Sequence, residues 1–215
     1  MKPSNKLPFL KRFEIRLSGT GGQGVITLGK ILGTGLALGH GYNVTQTQSY
    51  GPEARGGASR TDLVVSSLAI SYPKTEKLDL LVALSQDACN AYYSDMKKGG
   101  VLLVDSGLVK QVPTSYYLGL PFTEMATTKL KLPQAMNTIV LGALSHLLPF
   151  AKANVMRQAL TDALPAKIIE VNKKAFKMGI TRAQKDLGPP PTIWEASEQT
   201  EDVTNIREVN IVSEV

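Results

Sequence analysis

The sequence is poor in the residues that most often carry redox and metal chemistry: its 215 residues include one cysteine, Cys89, and two histidines, His40 and His146. A lone cysteine excludes an internal disulfide and falls short of the four thiolates that an iron–sulfur cluster usually takes. Long apolar runs are missing too. The longest, Ile139 to Leu148, is interrupted by Gly142, Ser145 and His146, whereas a membrane-spanning helix needs roughly 20 apolar residues. Near the N-terminus the apolar stretch Leu7 to Leu10 is shorter than the ~7–15 residues of a secretory core segment. These absences lead to the expectation of a cytoplasmic protein. Hydrophobic content of 43% and charged content of 20% are those of an ordinary globular chain.

Charge is unevenly spread. The formal net charge is +6, yet residues 186–215 hold seven acids and one base. The preceding chain therefore carries +12 against −6 in the tail. A basic body attracts acidic partners or phosphorylated ligands. Its bases are scattered, with Lys97/Lys98 and Lys173/Lys174 as the densest groups after Lys11/Arg12, and no aromatic-interleaved pattern for RNA accompanies them. Nucleic acid and membrane are not expected partners.

Alternation of Phe13, Ile15 and Leu17 with Glu14 and Arg16 predicts a strand that enters the turn Gly19 to Gly24. Apolar spacing from Val25 to Leu38 predicts a helix, with Gly29, Gly33 and Gly35 allowing close packing on a sheet. Further strands are predicted at Asn43–Thr47, Leu78–Leu84, Gly100–Asp105 and Tyr116–Leu120, with a helix over Ser85–Lys98 and Ser85 as its N-cap. Thr61–Val65 and Leu68–Tyr72, joined by Ser66-Ser67, predict a β-hairpin. Helices are predicted at Met136–Leu148, Val155–Leu164 and from Pro165 through Met178. Alternating strands and helices define the α/β class: a Rossmann-like three-layer fold with a mainly parallel sheet, a β-hairpin insertion and a disordered acidic C-terminal tail. Residues 1–12 form a basic arm, 13–185 the domain, and 186–215 the proline-rich acidic tail.

The turn Gly19-Thr20-Gly21-Gly22-Gln23-Gly24 matches G-x-G-x-x-G and sits between strand and helix, where such a turn aims backbone N–H groups at an anion. A dinucleotide site also requires an acid about 20 residues further on for the ribose hydroxyls; His40 to Gln48 contains none. No Lys-Ser/Thr pair follows, so the turn is not a P-loop. Two readings stay open: an anion- or cofactor-facing loop, or glycines that serve only close packing.

Ser49-Tyr50-Gly51-Pro52-Glu53-Ala54-Arg55-Gly56-Gly57 is too particular for a generic linker. Its glycines permit unusual backbone angles, Pro52 stiffens it, and Glu53 and Arg55 either pair locally or reach a partner. Together with Gly19 to Gly24 and the continuation Ala58-Ser59-Arg60, it resembles the gamma subunit of the 2-oxoacid:ferredoxin oxidoreductases. The resemblance extends over about Glu14 to Met178. Gln48 to Gly57, Leu81 to Gln86 and Met136-Asn137-Thr138 are most similar to the 2-oxoglutarate branch, with the pyruvate and indolepyruvate branches as alternatives.

That resemblance implies a heteromeric complex that oxidatively decarboxylates a 2-oxoacid to its acyl-CoA and passes electrons to ferredoxin. It implies thiamine diphosphate with Mg, an iron–sulfur cluster and coenzyme A in the complex, none bound by this chain alone. Alpha and beta subunits, the latter carrying thiamine diphosphate, and a ferredoxin-like delta subunit are the implied partners. No Gly-Asp-Gly of a thiamine-diphosphate metal site occurs in the chain. The competing reading is a self-sufficient nucleotide-binding oxidoreductase. Among isolated residues, Asp105 at a strand end is expected to cap the following turn, Cys89 to be a buried apolar thiol, and Asn137 to be a polar group buried on a helix. No catalytic residue and no metal ligand are assigned.

Overall fold

A computed structural model describes residues 7–49 and 58–191. Six strands form one sheet in the order β2-β3-β1-β4-β5-β6: β1 Phe13–Gly19, β2 Asn43–Ser49, β3 Ser59–Ser66, β4 Leu78–Ala83, β5 Met96–Asp105 and β6 Leu118–Leu120. β1, β4, β5 and β6 are mutually parallel, while β3 runs antiparallel to both β1 and β2. Three of the five pairings are thus parallel, which makes the sheet mixed and mainly parallel.

Both faces are covered. Helices α1 (Val25–Thr34), α4 (Met136–Leu147), α5 (Ala153–Ala163) and α6 (Ala166–Asp186) pack on one face, against Ile15, Leu17, Leu63, Leu80, Val82 and Leu103. α2 (Gln86–Tyr92) covers the other through Ala88 and Cys89, against Leu81, Ala83, Leu102 and Val104. The short α3 (Phe122–Glu124) follows β6. α4 and α6 meet backbone to backbone: a Cβ on Gly142 would penetrate the Phe176 carbonyl, and one on Gly179 the Ile139 carbonyl. Thr138 and Asn172 cross the same contact with a buried 2.7 Å hydrogen bond from the Thr138 hydroxyl to Asn172 Oδ1, and Asn172 Nδ2 donates to the Ile168 carbonyl at 2.9 Å, so neither side chain is left unpaired there.

Four departures from expectation have physical causes. The hairpin partner of β3 is β2, in register from Asn43↔Ser66 to Ser49↔Arg60. Residues Leu68–Tyr72 do not form a strand. β3 already has a neighbour on each edge, and Leu10 and Ser67 tie the next segment elsewhere: the Ser67 N–H donates to the Leu10 carbonyl at 2.7 Å, and the Leu10 N–H to Ser67 Oγ at 2.9 Å. The helix begun at Ser85, whose Oγ accepts the Ala88 N–H, ends at Tyr92 because Met96 already pairs with Leu78 of β4. β1 is buried on both faces rather than on one. α6 extends to Asp186, and His146 Nε2 lies 2.7 Å from the Gly188 carbonyl oxygen, so the chain stays attached to the domain past the boundary at 185.

Candidate functional site

β1 stands where the sheet changes direction, between antiparallel β3 and parallel β4. α/β proteins bind ligands at the carboxyl edge of the strands next to such a switch. β1 delivers the glycine turn to that edge. The register pairs Gly19 with Ser59 and Ser49 with Arg60, so β2 ends and β3 begins beside the turn. The two segments singled out in the sequence therefore share one sheet edge: the second returns into β3 at Ser59, next to Gly19, while its start at Ser49 lies one strand further out. Tyr50, Gly51, Pro52, Glu53, Arg55, Gly56 and Gly57 lie outside the described residues; Ser49 closes β2.

In the turn, Gly22 (φ 89°) and Gly24 (φ 71°) adopt left-handed angles that glycine takes without steric cost. Side chains added at Gly21 or Gly22 would meet open space, whereas at Gly24 a Cβ would lie 3.2 Å from Asn137 Cγ. Gln23 turns inward. Its Oε1 accepts the Thr20 N–H at 2.8 Å, and its Nε2 donates to the Leu84 carbonyl at 3.0 Å. The carboxamide also fills the space a Cβ on Gly19 would need. Gln23 thus stitches the turn to the end of β4, and Thr20, Gly21 and Gly22 form its exposed rim. α1 starts directly behind, with no side-chain cap and no acid in its first turn. Its dipole and N–H groups favour an anion there.

The opposite face of β1 holds a polar cluster that alternation alone did not reveal. Arg16, 4% exposed, donates to both carboxylate oxygens of Asp62 at 2.7 and 2.8 Å and also pairs with Asp95. Thr75 Oγ1 donates to Asp62 Oδ2 at 2.8 Å. Burial alone would lower the Arg16 pKa, but Asp62 and Asp95 outweigh it and the pKa rises. The guanidinium stays charged. Arg16 and Arg60 lie 4.8 and 5.3 Å from the Tyr92 ring centroid, a favourable geometry for cation–π attraction. Tyr92 also donates its hydroxyl to the Ala58 carbonyl at 3.2 Å. This cluster braces the return of the chain from residues 50–57 into β3. Its only sequence signal was a pair of charged residues, Glu14 and Arg16, alternating with the apolar positions of β1.

The remaining residues are structural. Asp105 is fully buried and accepts the Gly107 N–H at 2.9 Å, the Thr123 N–H at 2.8 Å and the Thr123 hydroxyl at 2.6 Å. Its carboxylate is spent on the turns after β5 and β6, as a cap. Asn137 places Nδ2 3.4 Å from the Gly24 carbonyl oxygen and so packs against the glycine turn. Burial pushes the Cys89 thiol pKa up, which disfavours thiolate chemistry. In the second turn of α6, Asn172 bonds Thr138 and not the glycine turn. No three His, Cys, Asp or Glu side chains cluster as metal ligands among the described residues. No helix among them is long and apolar enough to cross a membrane.

Fold and edge define a Rossmann-like domain with a glycine turn at its topological switch point. Comparison with known proteins places it further. The pyruvate ferredoxin/flavodoxin oxidoreductase family matches residues 14–182, and the chain belongs to that family. It is 45% identical to the 2-oxoglutarate synthase subunit KorC of Methanocaldococcus jannaschii, over 84% of this chain and 99% of that one. Identity to KorC of Methanothermobacter thermautotrophicus is 39%, over 78% of this chain and 93% of the relative. Among solved structures, the gamma subunit of a keto/oxoacid ferredoxin oxidoreductase from Geobacter sulfurreducens superposes with a TM-score of 0.75 at 36% identity, covering 81% of this chain and 98% of that one.

Proposed function

We propose that this chain is the gamma subunit of a 2-oxoglutarate:ferredoxin oxidoreductase, in which it positions partner subunits and borders the coenzyme A path without performing the redox step. The carrying observation is the register that sets the glycine turn and the base of the 49–57 loop side by side at one sheet edge. The 2-oxoglutarate assignment, ahead of pyruvate or indolepyruvate, rests on the KorC relatives, which this chain spans almost end to end.

In such a complex thiamine diphosphate with Mg supplies the decarboxylation, iron–sulfur clusters carry electrons to ferredoxin, and coenzyme A accepts the acyl group. One buried cysteine cannot hold a cluster; in this reading the cluster and thiamine diphosphate belong to the alpha, beta and ferredoxin-like delta subunits. A phosphate group of coenzyme A fits this chain better. The backbone of Thr20, Gly21 and Gly22 and the first turn of α1 would face it, while Gln23 holds the turn in shape. Ser49, Tyr50, Pro52, Glu53 and Arg55 would face the partner subunits, with the planar guanidinium of Arg55 suited to a carboxylate or phosphate. Against a self-sufficient nucleotide oxidoreductase, the edge beside the turn ends in Ala83-Leu84-Ser85, without an acid for ribose hydroxyls.

Reconstitution tests the proposal. The isolated chain is expected to show no oxidoreductase activity, and the complex with its partners to reduce viologen dye in a 2-oxoglutarate- and coenzyme A-dependent manner. Activity of the chain alone would overturn the subunit role. Activity on pyruvate only would correct the branch.

A further inference from the structure

β5 is longer than its neighbour on the outer side. β6 pairs only with Leu103, Val104 and Asp105. From Met96 to Leu102, β5 has β4 on one side and, among the described residues, no strand on the other. Where Ser115 to Tyr117 part from β5, a groove of about 380 Å³ opens between Gly99–Leu102 and Ser115–Leu118. Gly99, Gly100 and Tyr116 also line a second hollow of about 520 Å³ that leads to Lys97 and Lys98. The two form one path along the open edge. Tyr116 is 91% exposed and Tyr117 45%, a large apolar area to leave in water.

The last described residues lead into this path. After α6 the chain passes Gly188, held by His146, and Pro189 and Pro191 themselves line the groove. Residues 192–202 then read Thr-Ile-Trp-Glu-Ala-Ser-Glu-Gln-Thr-Glu-Asp. β-prone Thr192, Ile193 and Trp194 come first, and Glu195, Glu198, Glu201 and Asp202 follow. The groove has the same order: the tyrosines and open backbone lie by the prolines, and the lysines lie beyond.

We propose that residues 192–202 of this chain occupy the open edge of β5, with Ile193 and Trp194 on Tyr116 and Tyr117 and the acids over Lys97 and Lys98. Unpaired N–H and C=O groups of a sheet edge take an added strand readily, and the apolar pair removes the exposed tyrosines from water. Lys97 is already engaged by Asp79, at 2.8 Å from each carboxylate oxygen, so of the two lysines Lys98 is the one without an ion pair among the described residues. The docked segment covers an edge that would otherwise pair with other chains.

Trp194 is the only tryptophan, so the tryptophan fluorescence of the full chain reports this contact alone. Expected are an emission blue-shifted from free N-acetyltryptophanamide and a severalfold lower acrylamide quenching constant. Tyr116→Ser, at a side chain that supports no core, should shift the emission red and raise quenching. Lys98→Glu should do the same, and added salt, which in the parent should screen the acids from Lys98 and raise quenching, should then have no effect. Emission and quenching equal to the free amide would overturn the proposal. Protection insensitive to both variants would place the segment elsewhere, for example on the α5–α6 surface of Arg157, Lys173, Lys174 and Lys177, and overturn it too. Protection lost on dilution would show docking on a second copy, against occupancy by the same chain.

Discussion

Replacing Gln23 by alanine separates the two roles that a glycine turn can have. The side chain makes two hydrogen bonds, to the Thr20 N–H at 2.8 Å and the Leu84 carbonyl at 3.0 Å. Each is worth about 0.5–1.5 kcal/mol net, and a buried partner left unpaired costs about 1–3 kcal/mol. Thr20 is exposed, so water replaces the lost acceptor there. Leu84 is fully buried, which puts most of the cost on its carbonyl. Gln23→Ala should therefore destabilise the chain by about 1–3 kcal/mol, read as a lower urea midpoint at unchanged slope. In the reconstituted complex it should raise the apparent KM for coenzyme A more than it lowers kcat, because a loosened turn binds less well but touches no reacting atom. Gln23→Glu sharpens the test. A carboxylate still accepts from Thr20, repels the Leu84 carbonyl and adds negative charge behind an anion site, so KM should rise further than with alanine. Stability within about 0.5 kcal/mol of the parent, below the range of a hydrogen bond, with coenzyme A kinetics unchanged in both variants, would refute the stitching role and return the glycines to close packing.

Two further predictions concern the frame. Gly142→Ala gains about 1 kcal/mol of helix propensity but drives a Cβ into the Phe176 carbonyl. Overpacking of that kind typically costs about 1–3 kcal/mol and at times more. A melting temperature lowered by several degrees is expected in differential scanning fluorimetry, and an unchanged or higher value would contradict the close α4–α6 contact. His40 accepts the Lys152 N–H at Nε2, 3.0 Å away, and burial, then Lys152, lowers its pKa. A base with a depressed folded pKa binds fewer protons folded than unfolded, so its contribution is full above the unfolded value near 6.5 and is lost as pH falls through the folded value. Unfolding midpoints should drop between neutral pH and pH ~5.5 more steeply for the parent than for His40→Gln; parallel profiles would dismiss the linkage.

Local chemistry made much of this chain legible. Ser85 as a cap, Asp105 as a turn-former, the glycine turn after β1 and the helices from Met136 onward all follow from interactions within a few residues. Such interactions are written into adjacent positions. The wording of the 49–57 loop likewise pointed to the family before any fold was known.

Pairing across the sheet was not legible in the same way. Nothing near Leu68 says that β3 has both edges occupied, and nothing near Arg16 says that Asp62 lies across from it. Strand order depends on which buried faces can be satisfied at once, a property of the assembled sheet. Only that assembly sets the glycine turn beside the base of the 49–57 loop, turns Gln23 inward to Leu84, and leaves the outer edge of β5 open where the chain passes Pro191. The sequence by itself determined the class of fold, the two loops and the charge of each segment. The tertiary structure alone decided which of them meet, because contacts between distant residues arise from register and packing, neither of which any short stretch of chain encodes.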